Sequence, residues 1–238
     1  MLRAEPVADR TLLLTRPQAS SERFVARLDP LALSKVQVVI SPLLEIVPLD
    51  TPVSLNGIQA VIFTSANAVG FAPAANGMAA YCVGARTYEA ARQAGWSAHL
   101  AGETAVDLIA HILDLRPKGP LLHLAGHHRR GDIGENLSKS GIQTQTLTLY
   151  DQILRGLSSE ALSALQGTTI VPLFSPRTAL KFMQESPDMR HVHAVALSGA
   201  VADPLASAGL ASLEILPSPQ GDKMVKAVES LCLRVALP

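Results

Sequence analysis

The sequence contains few of the residues on which several classes of protein depend. Cys82 and Cys232 are its only cysteines, and they form neither a CxxC pair nor a Cys/His cluster. This spacing suggests neither a disulfide framework nor a zinc site, so both thiols are expected to be small buried hydrophobic groups. Aromatic residues make up only 4% of the chain, which leaves few stacking platforms.

Net charge and long apolar runs are also absent. Twenty basic residues balance twenty acidic ones, so nothing indicates a nucleic-acid partner or a membrane surface. The first residues, up to Pro17, contain no apolar stretch longer than Leu12–Leu14. No segment approaches the roughly 18 apolar residues that span a bilayer. We therefore expect a cytoplasmic protein that holds any anionic ligand with local groups.

Sequence motifs for cofactors and activated nucleophiles are missing as well. The chain has no P-loop, HExxH, Ser/His/Asp order or pair of catalytic carboxylates. The loop Val83–Thr87 contains one glycine but no GxGxxG fingerprint, so dinucleotide binding is weakly supported. The sequence therefore predicts an activity without a cofactor and without a metal ion.

Short aliphatic runs followed by helical patterns are what the sequence does contain. Apolar residues make up 48% of the chain, and its length fits two domains of ordinary size. Continuous apolar runs predict parallel strands that are covered on both faces. The predicted strands are Thr11–Thr15, Ala60–Thr64, Ala80–Val83, Leu121–Ala125, Thr169–Phe174 and Ala194–Leu197. The predicted helices are Ser20–Leu28, Ala66–Ala75, Thr87–Ala94, Ala105–Leu113, Ile133–Ser140, Thr178–Glu185 and Val201–Ala208.

An internal repeat joins these elements. The segment Ala60–Val69 resembles Ile170–Ala179 with Phe63 and Phe174 in register, and Tyr81–Thr87 is echoed by Val195–Val201. Matching elements in the same order predict two similar α/β domains.

Two extended stretches, Ser41–Pro52 and Thr144–Leu154, interrupt the alternation of strand and helix. They fit paired connections between a discontinuous domain and an inserted one, with proline placing the first stretch at a sheet edge or in a linker. A tandem arrangement divided near Pro117–Pro120 explains the same elements, and the pattern alone leaves both open.

The candidate site residues lie where strands end and helices begin, because parallel sheets bind ligands there and helix-start amides attract anions. Hydroxyl residues in the loops Thr64–Asn67 and Ser175–Thr178 also suit simple helix capping. The loop Gly126–Asp132 is either a solvated basic turn or a clamp for carboxylate or phosphate. Arg16 follows the first strand, and Tyr150 is either a packing residue or a hydroxyl donor.

Five of these segments in this order resemble the uroporphyrinogen-III synthase family. They are Leu13–Pro17, Ile62–Val69, Val83–Thr87, Leu149–Gln152 and Phe174–Arg177. The resemblance implies an α/β protein of two flavodoxin-like parallel-sheet domains joined by a two-stranded connector. The domains would comprise residues 1–40 with 155–238, and residues 50–146, with connecting strands at 41–49 and 147–154.

The resemblance also implies an activity, a lyase that cyclises hydroxymethylbilane to uroporphyrinogen III with loss of water and inversion of the D ring. Tyr150 matches a family tyrosine proposed to assist departure of the hydroxyl. Ser198 stands in a loop that lacks the family's usual threonine. The substrate-binding residues predicted from loops and resemblance are Arg16, Thr64, Ser65, Ala66, Asn67, Gly84, Arg86, Thr87, Gly126, Arg129, Arg130, Ser175, Pro176, Arg177 and Ser198.

The implied partners are the bilane substrate and, transiently, the preceding bilane-forming enzyme, with no nucleic acid and no membrane. The protein is expected to be a monomer. The alternative from another class is a non-catalytic two-domain binder of a small anionic ligand.

Overall fold

The computed structural model describes residues 10–129, 131–186 and 188–234. Within these residues the chain forms two compact units. Unit 1 contains the residues up to Glu45 and those from Leu154 onward, and unit 2 contains Ile46–Ile153. One sheet lies at the centre of each unit.

The secondary-structure elements alternate along most of the chain. The strands are β1 (Arg10–Leu14), β2 (Gln37–Ile40), β3 (Leu44–Pro48), β4 (Ala60–Phe63), β5 (Ala79–Val83), β6 (Ser97–Gly102), β7 (Leu121–Gly126), β8 (Thr144–Leu154), β9 (Thr168–Leu173), β10 (Val192–Ala196) and β11 (Ser212–Ile215). The helices are α1 (Gln18–Val25), α2 (Pro30–Leu33), α3 (Ala66–Phe71), α4 (Ala85–Gln93), α5 (Ala105–Leu115), α6 (Ile133–Lys139), α7 (Ser159–Ala164), α8 (Pro176–Glu185), α9 (Gly199–Ala202) and α10 (Gly221–Leu233).

Unit 1 has the strand order β11-β10-β9-β1-β2, and its strand pairs are parallel. In chain order this is the 2-1-3-4-5 arrangement of flavodoxin-like folds. Leu13 and Val171 are buried on one face of the sheet, and Leu12 and Ile170 are buried on the other. Helices cover both faces, which explains the continuous apolar runs of the sequence. The predicted α/β class with two parallel sheets is confirmed.

Unit 2 has the strand order β3-β8-β7-β4-β5-β6, and strands β4 to β8 pair in parallel. Its five parallel strands read 3-2-1-4-5 in chain order, which differs from the flavodoxin order. The spatial arrangement is nevertheless the same in both sheets, because β9, β10, β11, β1 and β2 of unit 1 occupy the places of β4, β5, β6, β7 and β8 of unit 2. The chain order differs because unit 2 begins at β4, whereas unit 1 begins at β1. Strand β3 ends at Pro48 and is one of the two edge strands, where a missing N–H costs no ladder hydrogen bond.

Prolines explain two differences between predicted and observed helices. The helix predicted over Ala66–Ala75 ends at Phe71, since Ala72 is extended before Pro73. The helix predicted over Val201–Ala208 is instead α9 followed by a 3-10 turn that contains Pro204. The second extended stretch, Thr144–Leu154, is confirmed as β8. Sequence analysis missed β2, β6, β11, α2, α7 and α10.

Candidate functional site

Each sheet contains one pair of neighbouring parallel strands whose next strands in the chain lie on opposite sides of the pair. In unit 1 this switch point lies between β1 and β9, and in unit 2 between β4 and β7. The crevice outside the carboxyl ends of such strands is the usual ligand site of an open α/β sheet. Arg16 and Ser175 follow the two strands in unit 1, whereas Thr64 and Gly126 mark the strand ends in unit 2.

The switch point of unit 1 holds a guanidinium group on an aromatic ring. The Arg16 guanidinium carbon lies 4.2 Å from the centroid of the Phe174 ring. Phe174 in turn contacts Phe24 edge-on, with centroids 5.6 Å apart and ring planes at 82°. This stack holds a permanently charged group, suited to bidentate carboxylate binding, at the carboxyl edge of the sheet.

Helix capping uses two of the hydroxyl groups predicted to bind substrate. Ser65 Oγ accepts a hydrogen bond from the Asn67 N–H at 3.2 Å, and Ser175 Oγ accepts one from the Thr178 N–H at 3.2 Å. The capping interpretation of both loops is therefore confirmed. Ser198 precedes α9 but makes no such cap hydrogen bond.

The two caps also correct the register of the internal repeat. Ser65 and Ser175 stand at the same position before their helices. Thr64 is therefore the structural counterpart of Phe174, so the sequence register that paired Phe63 with Phe174 is wrong by one residue. Phe63 is fully buried in unit 2, where its ring meets Trp96 edge-on at 5.2 Å.

The switch point of unit 2 contains a buried histidine that sequence analysis did not select. His123 lies on β7, is 1% exposed, and places Nε2 3.2 Å from Thr64 Oγ1. Burial, and next the positive charge of Arg129, lower the pKa of His123 from 6.5 to about 4, while Asp132 opposes this shift. The imidazole is therefore neutral at neutral pH. A histidine inside the apolar run Leu121–Ala125 was the signal that could have identified it.

Tyr150 lies on β8, next to the end of β7. Its side chain is 3% exposed, and its ring lies 5.8 Å from the ring of Phe71, centroid to centroid. A Cβ atom on Gly126 would lie only 2.5 Å from the Tyr150 ring carbon Cζ. Gly126 thus provides the space that the tyrosine ring occupies, and the two predicted site residues are in contact.

The connection from β5 into α4 contains Gly84, Arg86 and Thr87. Gly84 has φ +76°, a left-handed conformation that favours glycine at this position before α4. Thr87 lies in the first turn of that helix and is buried, whereas Arg86 is exposed. The exposed guanidinium group is thus the more accessible of these two side chains.

The basic loop after β7 is less uniformly positive than its sequence suggests. Arg129 is exposed, and Arg130 lies outside the described residues. His128 Nε2 lies 3.6 Å from Asp151 Oδ1. Asp132 Oδ1 accepts from the Glu135 N–H at 3.0 Å and caps α6. Two carboxylates thus accompany the cationic side chains, and among the described residues of this loop the clamp interpretation depends chiefly on Arg129.

Among the described residues, no group of three or more His, Cys, Asp or Glu side chains is arranged to hold a metal ion. No helix among these residues has the length and apolar composition needed to cross a membrane.

A family model and two solved structures are similar to this chain. The chain matches the family model described as uroporphyrinogen-III synthase HemD over residues 28–226. Its fold is similar to that of a uroporphyrinogen-III synthetase from Helicobacter pylori, with TM-score 0.66, 18% identity, and coverage of 93% of this chain and 99% of that one. A mutant uroporphyrinogen III synthase from Thermus thermophilus matches with TM-score 0.47, 15% identity, and coverage of 93% and 97%. No curated protein sequence matches the chain. Because the family model covers most of its length, the chain belongs to the uroporphyrinogen-III synthase family.

Proposed function

We propose that this chain converts hydroxymethylbilane to uroporphyrinogen III. The observation that carries the proposal is the family match over residues 28–226. Members of this family are lyases that close the linear bilane with loss of water and inversion of the D ring. This membership favours the synthase over the non-catalytic anion binder.

Substrate carboxylates bind, in this proposal, beside the C-terminal ends of the strands in both sheets. Unit 1 contributes charge through Arg16 and Arg177, and Ser198 adds a hydroxyl group that makes no helix cap. Unit 2 contributes Thr64 and the exposed guanidinium groups of Arg86 and Arg129. A ligand with many carboxylates can be held by such local groups, so the neutral net charge of the protein is no obstacle.

Tyr150 assists the departure of the hydroxyl group in this mechanism. Its phenol donates to the leaving oxygen as the carbon–oxygen bond breaks, so the hydroxyl leaves as water. The electron-deficient carbon is then attacked by the substituted carbon of the D ring, which forms the spiro intermediate. The original bond from that ring carbon to its bridging carbon breaks, the bridging carbon bonds to the free α-carbon of the inverted ring, and the proton lost there replaces the one that Tyr150 gave to the leaving hydroxyl. The packing of Tyr150 on Phe71 and against Gly126 holds the phenol ring in one orientation. Folding the bilane into reach of its own terminus is the larger catalytic task.

The remaining parts of the proposal concern the setting of the reaction. The protein acts in the cytoplasm as a monomer and receives its substrate from the preceding bilane-forming enzyme through transient contact. Direct transfer is favoured because the free bilane closes spontaneously to the type I ring, so a shorter time in solution preserves more substrate.

An isomer assay tests the activity. The full chain is incubated with enzymatically generated hydroxymethylbilane, and the oxidised products are separated by chromatography. We expect the type III isomer to dominate, while a heat-denatured sample leaves the spontaneous type I ring. A native sample that yields only type I would remove the synthase proposal and favour the binder.

A further inference from the structure

The hydrogen bond between Thr64 and His123 spans the switch point of unit 2. Thr64 follows β4 directly, and His123 lies on the neighbouring strand β7 in register with Ile62. Since side chains two residues apart on a strand share a face, Thr64 and His123 lie on the same side of the sheet as Ile62. Within the described residues, the Thr64 hydroxyl has no second hydrogen-bond partner.

The other side of the imidazole is polar but unpaired. His123 Nδ1 is fully buried and has no hydrogen-bond partner among the described residues. Thr146 lies opposite His123 in register on β8, and its buried Oγ1 also lacks a partner there. A Cβ on Gly134 would lie 2.4 Å from that oxygen, so helix α6 packs closely over the threonine. Thr146, His123 and Thr64 thus form a row of polar side chains, one on or at the end of each of three adjacent strands.

Burial selects one tautomer of the neutral imidazole. A proton on Nδ1 would leave a buried N–H without an acceptor, which is rare and costly in native structures. A proton on Nε2 instead donates to Thr64 Oγ1 and leaves a lone pair on Nδ1.

We propose that His123 is a positioning residue that donates its Nε2–H to Thr64 and thereby directs the Thr64 hydroxyl proton toward a substrate carboxylate. A threonine hydroxyl has a single proton. When its oxygen accepts from the histidine, this proton points away from the imidazole. Thr64 is half-buried and follows the last residue of β4, so its hydroxyl lies at the end of the strand and not inside the sheet. A preoriented neutral donor binds a carboxylate without rearranging when the ligand arrives. The inference rests on the proposed function, because it assigns a substrate group to this site.

Four variants of the full chain separate positioning from a merely structural role. Thr64→Val removes the donor, and we expect its KM for hydroxymethylbilane to rise about tenfold to a hundredfold, the worth of one hydrogen bond to a charged group. His123→Leu removes the buried donor and is expected to raise KM by up to the same factor, with kcat changing less. His123→Gln retains an N–H that can reach Thr64 and should restore most of the affinity. In the double variant Thr64→Val with His123→Leu, KM should equal that of Thr64→Val alone.

Additive KM changes in the double variant, or a His123→Gln protein no better than His123→Leu, would overturn the inference. If His123→Leu does not fold, His123→Asn replaces it, because its shorter amide stays polar but does not reach Thr64. Melting temperatures of all variants identify loss of fold. Wild-type protein that makes no type III isomer contradicts the proposed function, whereas an active wild type with unaltered variants contradicts only this inference.

A spectroscopic measurement tests the tautomer without substrate. Nitrogen-15 NMR of the imidazole couplings distinguishes a proton on Nε2 from one on Nδ1 in the unliganded wild-type protein. We expect the proton on Nε2 of His123, assigned by its loss in His123→Gln. A proton on Nδ1 would contradict the proposed direction of the Thr64 hydroxyl.

Discussion

The two switch points have chemically different side chains at equivalent positions of related folds. Unit 1 places the charged Arg16 on Phe174, near the protein surface. Unit 2 has Thr64 where unit 1 has Phe174, and this threonine bonds to a buried histidine that is neutral at neutral pH. The comparison indicates that an internal repeat preserves the position of a site while its chemistry changes. At this one pair of equivalent positions, unit 1 has the aromatic ring on which a charged guanidinium group rests, and unit 2 has an oriented neutral donor.

The largest expected effect concerns the neutral histidine of unit 2. In unfolded chains His123 takes up a proton as pH falls below about 6.5, whereas in the folded protein its pKa is about 4. The unfolded state therefore binds more protons in this window, and the unfolding free energy falls as pH is lowered from 6.5 to 4. The loss from this residue approaches about 3 kcal/mol at pH 4.

Urea titrations at several pH values measure this loss as the difference between wild type and His123→Gln. The carboxylates with lowered pKa values, Asp107, Glu185 and Asp188, are present in both proteins, so their contributions cancel. Arg129 and Asp132 also face the imidazole and are retained. Parallel curves between pH 6.5 and 4 would mean that His123 carries its charge in the folded protein.

The second effect compares one glycine from each unit. Gly126→Ala places a methyl group against the rigid, buried Tyr150 ring, so we expect the unfolding free energy to fall by about 1–3 kcal/mol and turnover to decrease. Gly199→Ala in unit 1 is the control, because a Cβ there meets no atom within 4 Å. Its stability should change by less than about 0.5 kcal/mol. Equal melting temperatures for the two variants would show that the Tyr150 ring moves aside without loss of stability.

The third effect concerns Tyr150 itself. Tyr150→Phe retains the ring that packs on Phe71 and removes only the hydroxyl donor. We expect turnover to fall about tenfold or more, the lower range for general-acid assistance, with an unchanged melting temperature. Tyr81→Phe is the matched control, since Tyr81 packs near His99 and His111 in the same unit. Wild-type turnover in Tyr150→Phe would reduce this tyrosine to a packing residue.

The smallest effect separates charge from hydrogen bonding at the two switch points. Arg16→Gln should raise KM by about twofold to fivefold at low ionic strength, as expected for a partly exposed charge contact. Added salt should shrink this difference, because it screens the interaction of Arg16 with the substrate. The KM difference between Thr64→Val and wild type should persist in salt. Identical salt dependence of the two variants would contradict the division of chemistry between the units.

Particular residues show how far the sequence could predict the site. The caps at Ser65 and Ser175 and the strand Thr144–Leu154 follow from local pattern, and the structure confirms them. The edge strands β6 and β11 were missed because their exposed positions carry mixed residues without a clear period. His123 was missed because an apolar run with one histidine does not reveal which strand lies beside it.

The sequence by itself determined the α/β class, the repeat, the family resemblance and the loops in which donors lie, because these depend on local periodicity and on residues near in sequence. Only the tertiary structure decided the strand order of unit 2, the contact of Gly126 with Tyr150, and the pairing of Thr64 with a histidine 59 positions away. The physical reason is that sheet pairing joins residues distant in the chain. Burial in the resulting core then sets the charge of His123 and the direction in which its proton is donated.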